Sequence, residues 1–246
     1  MAILVLHHSR VAGPGRLAAT LRDSGVALDA RYPHEFPIGH ERGLPRDLAG
    51  VHGLVILGGP QNVTDIGKYT WMQHEAGLVA AAHARELPIV GICLGCQLIG
   101  HALGGVVTAK SKSCMGFYPV SATVAGQTET ILGGVQWNFQ TFFACGQEVS
   151  TLPPGATLLH TSAHTKHAAF RVGVRTYAFQ YHFECDKPLV EAIVTSSKPE
   201  LAHAGTTEGE VRVQLDAQYD TFARVSDRIS SNLAAYCVPL SRKLSA

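Results

Sequence analysis

Gly91-Ile92-Cys93-Leu94-Gly95 sets a cysteine between two glycines, where a short apolar run gives way to a helical pattern. That is the spacing of a nucleophile elbow, a strand-to-helix turn so tight that its neighbours must be small. Such a turn projects the sulfur above the strand ends. The amides and dipole at the start of the next helix favour its thiolate, which is the reactive form. A free cysteine is more often a buried core residue, but the two glycines and the strand-to-helix position favour the nucleophile. Cys93-x-x-Cys96 also admits a redox pair or half of a metal site. The aromatic and proline context of a thioredoxin-like motif is missing, and no second Cys-x-x-Cys or His pair completes a zinc set. The histidines, His7-His8 included, show no ligand spacing, so no metal and no cofactor are expected. Cys96, one turn into the helix, either influences the nucleophile or packs.

The elements that must position this cysteine alternate. Ala2 to His7 is predicted as a strand, a short helix follows around Leu17 and Leu21, and Ala27 to Tyr32 is the next strand. The apolar run Gly53 to Leu57 suits the centre of a parallel sheet and ends at Gly58-Gly59-Pro60, where a glycine pair lets backbone amides approach a ligand. A helix over Thr70 to Glu86, a strand over Pro88 to Ile92 and a helix over Leu94 to Leu103 continue the pattern. The class this predicts is α/β: a doubly wound, mostly parallel sheet with helices on both faces and ligands at the C-terminal strand ends. From Gly104 to about Glu184 the texture is one of short β-like stretches (106–109, 117–124, 157–160, 168–172, 177–181), read as antiparallel edge strands. Val211, Leu215, Tyr219, Phe222, Val225, Ile229, Leu233 and Tyr236 then recur every three or four residues as one amphipathic face, with Thr207 and Glu210 as its capping box. The expected organisation is a catalytic domain over 1–186 and a helical extension over 187–246 packed on it.

The chain has 246 residues, 46% hydrophobic and 16% charged, enough for a full core. Its 20 basic and 19 acidic residues leave a net charge of +1 with no run of five like charges, so neither nucleic acid nor an anionic membrane is expected as a partner. No signal peptide and no membrane-spanning apolar segment is read from it. The six scattered cysteines suit a reducing compartment, and a cytoplasmic location is expected.

Gly91-Ile-Cys93-Leu-Gly95-Cys-Gln97-Leu and Ala102-Leu-Gly-Gly105 resemble the class I glutamine amidotransferase signature around its nucleophile. Tyr177-Ala-Phe-Gln180-Tyr-His182-Phe-Glu184 resembles that family's closing motif, in which a strand supplies a His and, two residues later, a Glu. Strand alternation would put both side chains on one face. Glu184 would then orient His182 while His182 activates Cys93, the logic of a triad. The resemblance further implies an oxyanion hole from the amides of Gly59 and Leu94, and substrate contacts from Gly58 and Gln97. It covers roughly residues 2 to 185, implies a flavodoxin-like sheet, and extends to stand-alone bacterial members related to the glutaminase domain of GMP synthase. Relatives usually carry Glu where Cys114 stands, His at Asn138 and Gln at His167, positions expected around the substrate pocket. The implied reaction releases ammonia from glutamine through a thioester. No phosphate loop is present, so a synthase subunit in trans is a possible partner. The rival readings are a stand-alone hydrolase of γ-glutamyl compounds and a non-catalytic regulatory module on the same fold.

Overall fold

A computed structural model describes residues 2–237, so residues 238–246 of the expected extension lie outside the described residues. In chain order the elements are β1 (Ala2–Leu6), α1 (Gly15–Asp23), β2 (Ala27–Arg31), β3 (Val51–Ile56), α2 (Thr70–Ala84), β4 (Ile89–Ile92) and α3 (Leu94–Ala102). There follow β5 (Val106–Ala122), α4 (Val124–Thr128), β6 (Asn138–Thr151), β7 (Thr157–Thr161), β8 (Ala169–Val172) and β9 (Thr176–Phe179). Helices α5 (Lys187–Ser196), α6 (Lys198–Ala204) and α7 (Glu208–Asn232) close the chain, with a π-helical turn over Leu233–Cys237.

The nine strands among the described residues form one sheet in the order β2-β1-β3-β4-β9-β8-β7-β5-β6. The pairings from β2 through β9 are parallel, and those from β9 to β6 are antiparallel. All four residues of β4 are buried, as a central strand covered on both faces requires. Leu17 and Leu21 of α1 share a core with Val225 and Ile229 of α7 on one face of the sheet. Met72, Leu78 and Val79 of α2 and Leu98 and Ile99 of α3 fill the other. This is the doubly wound sheet expected from the alternation.

Three features differ from the expectation. Val124 opens α4, and the two short strands expected over 106–109 and 117–124 are parts of one 17-residue strand, Val106–Ala122, with a register shift between Ala109 and Cys114. Its partner β6 has 14 residues and was not predicted, because Gln140, Thr141, Gly146 and Gln147 blur its alternation. Tyr236 lies 59% exposed in the π-helical turn, whose wider winding carries it off the apolar stripe, while Val211, Leu215, Phe222, Val225, Ile229 and Leu233 are buried. Thr207 and Glu210 make the capping box in both directions. Helix α7 packs on α1, α5, β5 and β6.

Candidate active site

Cys93 follows β4 directly and caps α3 with φ 52° and ψ −104°, one of two non-glycine residues at positive φ among the described residues. Side chains rarely hold that conformation, and it is stored where the surroundings over-determine it. Here the Cys93 amide donates to the Phe179 carbonyl at 2.8 Å, and its own carbonyl accepts from Gln97 N at 3.1 Å. Gly95 makes the turn possible: a Cβ there would sit 2.1 Å from the Ile56 carbonyl oxygen, so only glycine lets α3 rest against β3. The thiol points back at the β6 backbone, with Sγ 3.4 Å from the Ala144 carbonyl oxygen.

His182 and Glu184 lie beyond β9, which ends at Phe179, so strand alternation does not place them. The turn that carries them is pinned from both sides. The His182 amide donates to the Phe142 carbonyl at 2.8 Å, and the Glu184 carbonyl accepts from the Arg16 amide at 2.8 Å. The outcome is a side-chain bond, His182 Nδ1 to Glu184 Oε1 at 2.8 Å, between groups only 3% and 1% exposed. Burial alone would depress the His182 pKa. The Glu184 carboxylate and the Cys93 sulfur outweigh it, and the imidazole holds its proton well above its ordinary range. Glu184 Oε2 is buried with no hydrogen-bond partner among the described residues.

Cys93, His182, Gly59, Leu94 and Gln97 line one cavity of about 310 Å³. It opens where β3, β4 and β9 end, the C-terminal edge at which doubly wound sheets take ligands. Gln97 donates through Nε2 to the Gln147 carbonyl at 3.0 Å and faces Gln180 Oε1 at 3.3 Å. Gly58 does not line the cavity. It backs the reacting groups instead, since a Cβ there would stand 2.8 Å from His182 Cε1 and 3.5 Å from Cys93 Cβ.

Cys114, Asn138 and His167, expected around the pocket, do not line it. Asn138 is exposed at the start of β6. His167 is buried, its Nδ1 bonded to the Val149 carbonyl at 2.7 Å. Cys114 is buried behind the wall that Cys145 presents. Cys96 packs among the apolar residues of α2 and α3, and burial pushes its thiol pKa up, with Cys93 and Cys145 adding to the effect.

The sequence did not point to the far wall, which Ile193, Ser196, Ser197 and Glu200 supply from α5 and α6. It also did not pair His8 with Glu75. His8 Nε2 meets both Glu75 oxygens at 3.1 and 3.0 Å, and Nδ1 faces the Leu57 carbonyl at 3.1 Å. Gln61 Nε2 donates to the His8 carbonyl at 3.0 Å, so this buried pair props the loop holding Gly59. The one available signal was position, directly after an apolar strand whose C-terminal end faces the cavity. His182, Glu184 and Cys185 have ligand atoms within 4.8 Å of one another and form the one potential cation group among the described residues. Among the described residues no helix is long and apolar enough to cross a membrane.

A family model described as "Glutamine amidotransferase class-I" matches residues 16–188. The glutamine amidotransferase-like protein YfeJ of Salmonella typhimurium is 31% identical over 167 residues, covering 65% of this chain and 68% of that protein. The glutamine-hydrolyzing GMP synthase of Porphyromonas gingivalis is 29% identical over 143 residues, 57% of this chain, which therefore spans only 26% of that protein. Among solved structures, a glutamine amidotransferase from Methylobacillus flagellatus superposes with a TM-score of 0.80 at 24% identity over 94% of this chain and 93% of that one. Another from Thermotoga maritima gives 0.79 at 22% identity over 95% and 96%. At those identities the likeness establishes the fold.

Proposed function

This chain belongs to the class I glutamine amidotransferase family, and from that premise we propose that it releases ammonia from glutamine through Cys93, His182 and Glu184. The observation that carries the reading is the meeting of Cys93 and His182 in one cavity, with Glu184 2.8 Å behind the imidazole. A thiol beside an imidazole that readily holds a proton favours the thiolate–imidazolium pair. The thiolate attacks the γ-carbonyl carbon, and negative charge moves onto its oxygen. The Gly59 and Leu94 amides are the proposed donors to it; rigid backbone donors need no reorganisation as charge develops. His182 gives its proton to the departing nitrogen as the C–N bond breaks, leaving a thioester and ammonia. It then takes a proton from the water that releases glutamate, while Glu184 keeps the ring in one tautomer.

Gln97, tied to the Gln147 carbonyl, stiffens the wall against which the substrate side chain lies. The cavity's described lining contains no lysine or arginine and one carboxylate, Glu200. That charge pattern suits the substrate's α-ammonium at the α6 end. The helices after residue 186 are thus read as an extension of the catalytic domain that completes its substrate site. Ammonia would pass to an acceptor site on a synthase subunit.

The test is ammonia release from glutamine by the full chain, alone and with a co-purified partner. Turnover that Cys93→Ser abolishes supports the reading. No ammonia from glutamine or any γ-glutamyl amide in either setting would overturn it.

A further inference from the structure

Two cysteines that the proposed reaction leaves unused face each other in the cavity wall. Cys114 on β5 and Cys145 on β6 are direct partners in the antiparallel register. They are 2% and 4% exposed, and both thiols are free. As directly opposed residues of an antiparallel pair, they project their side chains from the same face of the sheet. Opposed residues of an antiparallel pair hold their Cβ atoms about 4.5–5.5 Å apart, and a disulfide wants about 3.8 Å. An approach of about 1 Å closes the bond. The strand has room for it, because Cys114 stands next to the register shift that leaves residues 110–113 outside the ladder.

The two sulfurs differ in setting. Cys145 lines the cavity and Cys114 does not. The neighbouring Cys114 thiol draws the Cys145 thiol below its ordinary pKa against the effect of burial, and the charges of Lys110 and His182 act the same way. Lys110 is held in place, its side chain 8% exposed and its Nζ 3.0 Å from Glu148. Cys114 is pushed up, chiefly by Cys145 beside it and then by burial. The cavity-facing sulfur of Cys145 is therefore the one a reagent in the cavity meets first, and Cys114 is its resolving partner.

We propose that Cys114 and Cys145 form an oxidation site in the wall of the catalytic cavity, which a small peroxide entering the cavity converts to a disulfide. The Cys145 thiolate attacks one peroxide oxygen; an S–O bond forms, the O–O bond breaks, and the leaving oxyanion takes up a proton. The Cys114 sulfur, giving up its proton, then attacks the Cys145 sulfenic sulfur, and the departing hydroxide leaves with that proton as water. Two thiols lose two electrons in all, and one hydrogen peroxide becomes two waters. The neighbours of Cys145 carry the consequence to the site. Ala144 offers its carbonyl to Cys93 Sγ at 3.4 Å, and Gln147 offers its carbonyl to Gln97 Nε2 at 3.0 Å, so drawing β6 toward β5 shifts both contacts.

The test treats the full chain with hydrogen peroxide, blocks remaining thiols under denaturing conditions, and maps the peptides by mass spectrometry. The expected result is a peptide pair joined through Cys114 and Cys145, lighter by two hydrogens and separated by a phosphine reductant. In Cys114→Ser that pair is absent and Cys145 is captured by a sulfenic-acid reagent. Recovery of Cys114 and Cys145 as free thiols after Cys93 has oxidised would overturn the proposal. So would a disulfide joining Cys145 to Cys93 or Cys96. Because the readout is covalent mass, it stands or falls separately from glutamine hydrolysis.

Discussion

Replacing Glu184 by glutamine removes one charge and almost no volume, and the structure assigns it a bounded cost. The His182 Nδ1 to Glu184 Oε1 bond is 2.8 Å long and fully buried. A hydrogen bond to a charged group contributes about 1.5–3 kcal/mol, which is about a 10- to 150-fold fall in kcat if it strengthens as the imidazolium forms. Glu184 does not line the cavity, so KM should stay within about a factor of 3, less than 0.7 kcal/mol on the same scale. A second signature is in pH. Glu184 helps hold the folded-state pKa of His182 well above its ordinary 6.5, so the wild type has a stability contribution present below pH 6.5 and lost as pH rises through the raised value. The gap between wild type and Glu184→Gln should therefore be widest near pH 6 and narrow in alkaline buffer. Steady-state ammonia release and urea melts across that range measure both. A kcat within about 3-fold of wild type, or a stability gap that widens with pH, would refute the assignment of Glu184 to His182.

Three further outcomes are expected. Glu200→Gln should raise KM for glutamine while leaving kcat near wild type, and leave turnover of an N-acylated glutamine unchanged, as measured by steady-state ammonia release. His160, whose pKa burial lowers from 6.5 to about 4, binds protons more readily unfolded, so stability should fall as pH drops from 6.5 toward 4, by about 3 kcal/mol at most. Denaturant melts of wild type and His160→Asn across that range read the slope, which the variant should flatten. Thr207→Ala removes the acceptor for the Glu210 amide at 3.2 Å and should cost about 1 kcal/mol, seen as a lower urea midpoint with an unchanged slope.

What the sequence disclosed follows from how local each signal is. The elbow was legible because glycine spacing at a strand-to-helix junction is a property of five consecutive residues. Four of the parallel strands, β1 to β4, were legible from the alternation between Ala2 and Leu103. His182 and Glu184 were found as a pair for an incomplete reason: their side chains meet because Phe142 and Arg16, distant in sequence, pin the turn beyond β9. The edge hairpin of β5 and β6 was only half visible, since Gly146 and Gln147 of β6 line the cavity and, with Gln140 and Thr141, interrupt the apolar alternation. The cavity's far wall from α5 and α6, the His8–Glu75 prop and the Cys114–Cys145 pair all depend on tertiary register. No spacing in one sequence reveals such contacts, and the displacement of Asn138 and His167 from the pocket has the same origin.

The most direct test of the account is reaction of the full chain with an electrophilic glutamine analogue, followed by peptide mass spectrometry. The account predicts one adduct, on Cys93, which free glutamine slows and His182→Ala suppresses. Labelling of another cysteine, or none under conditions that modify a known glutaminase, would contradict it.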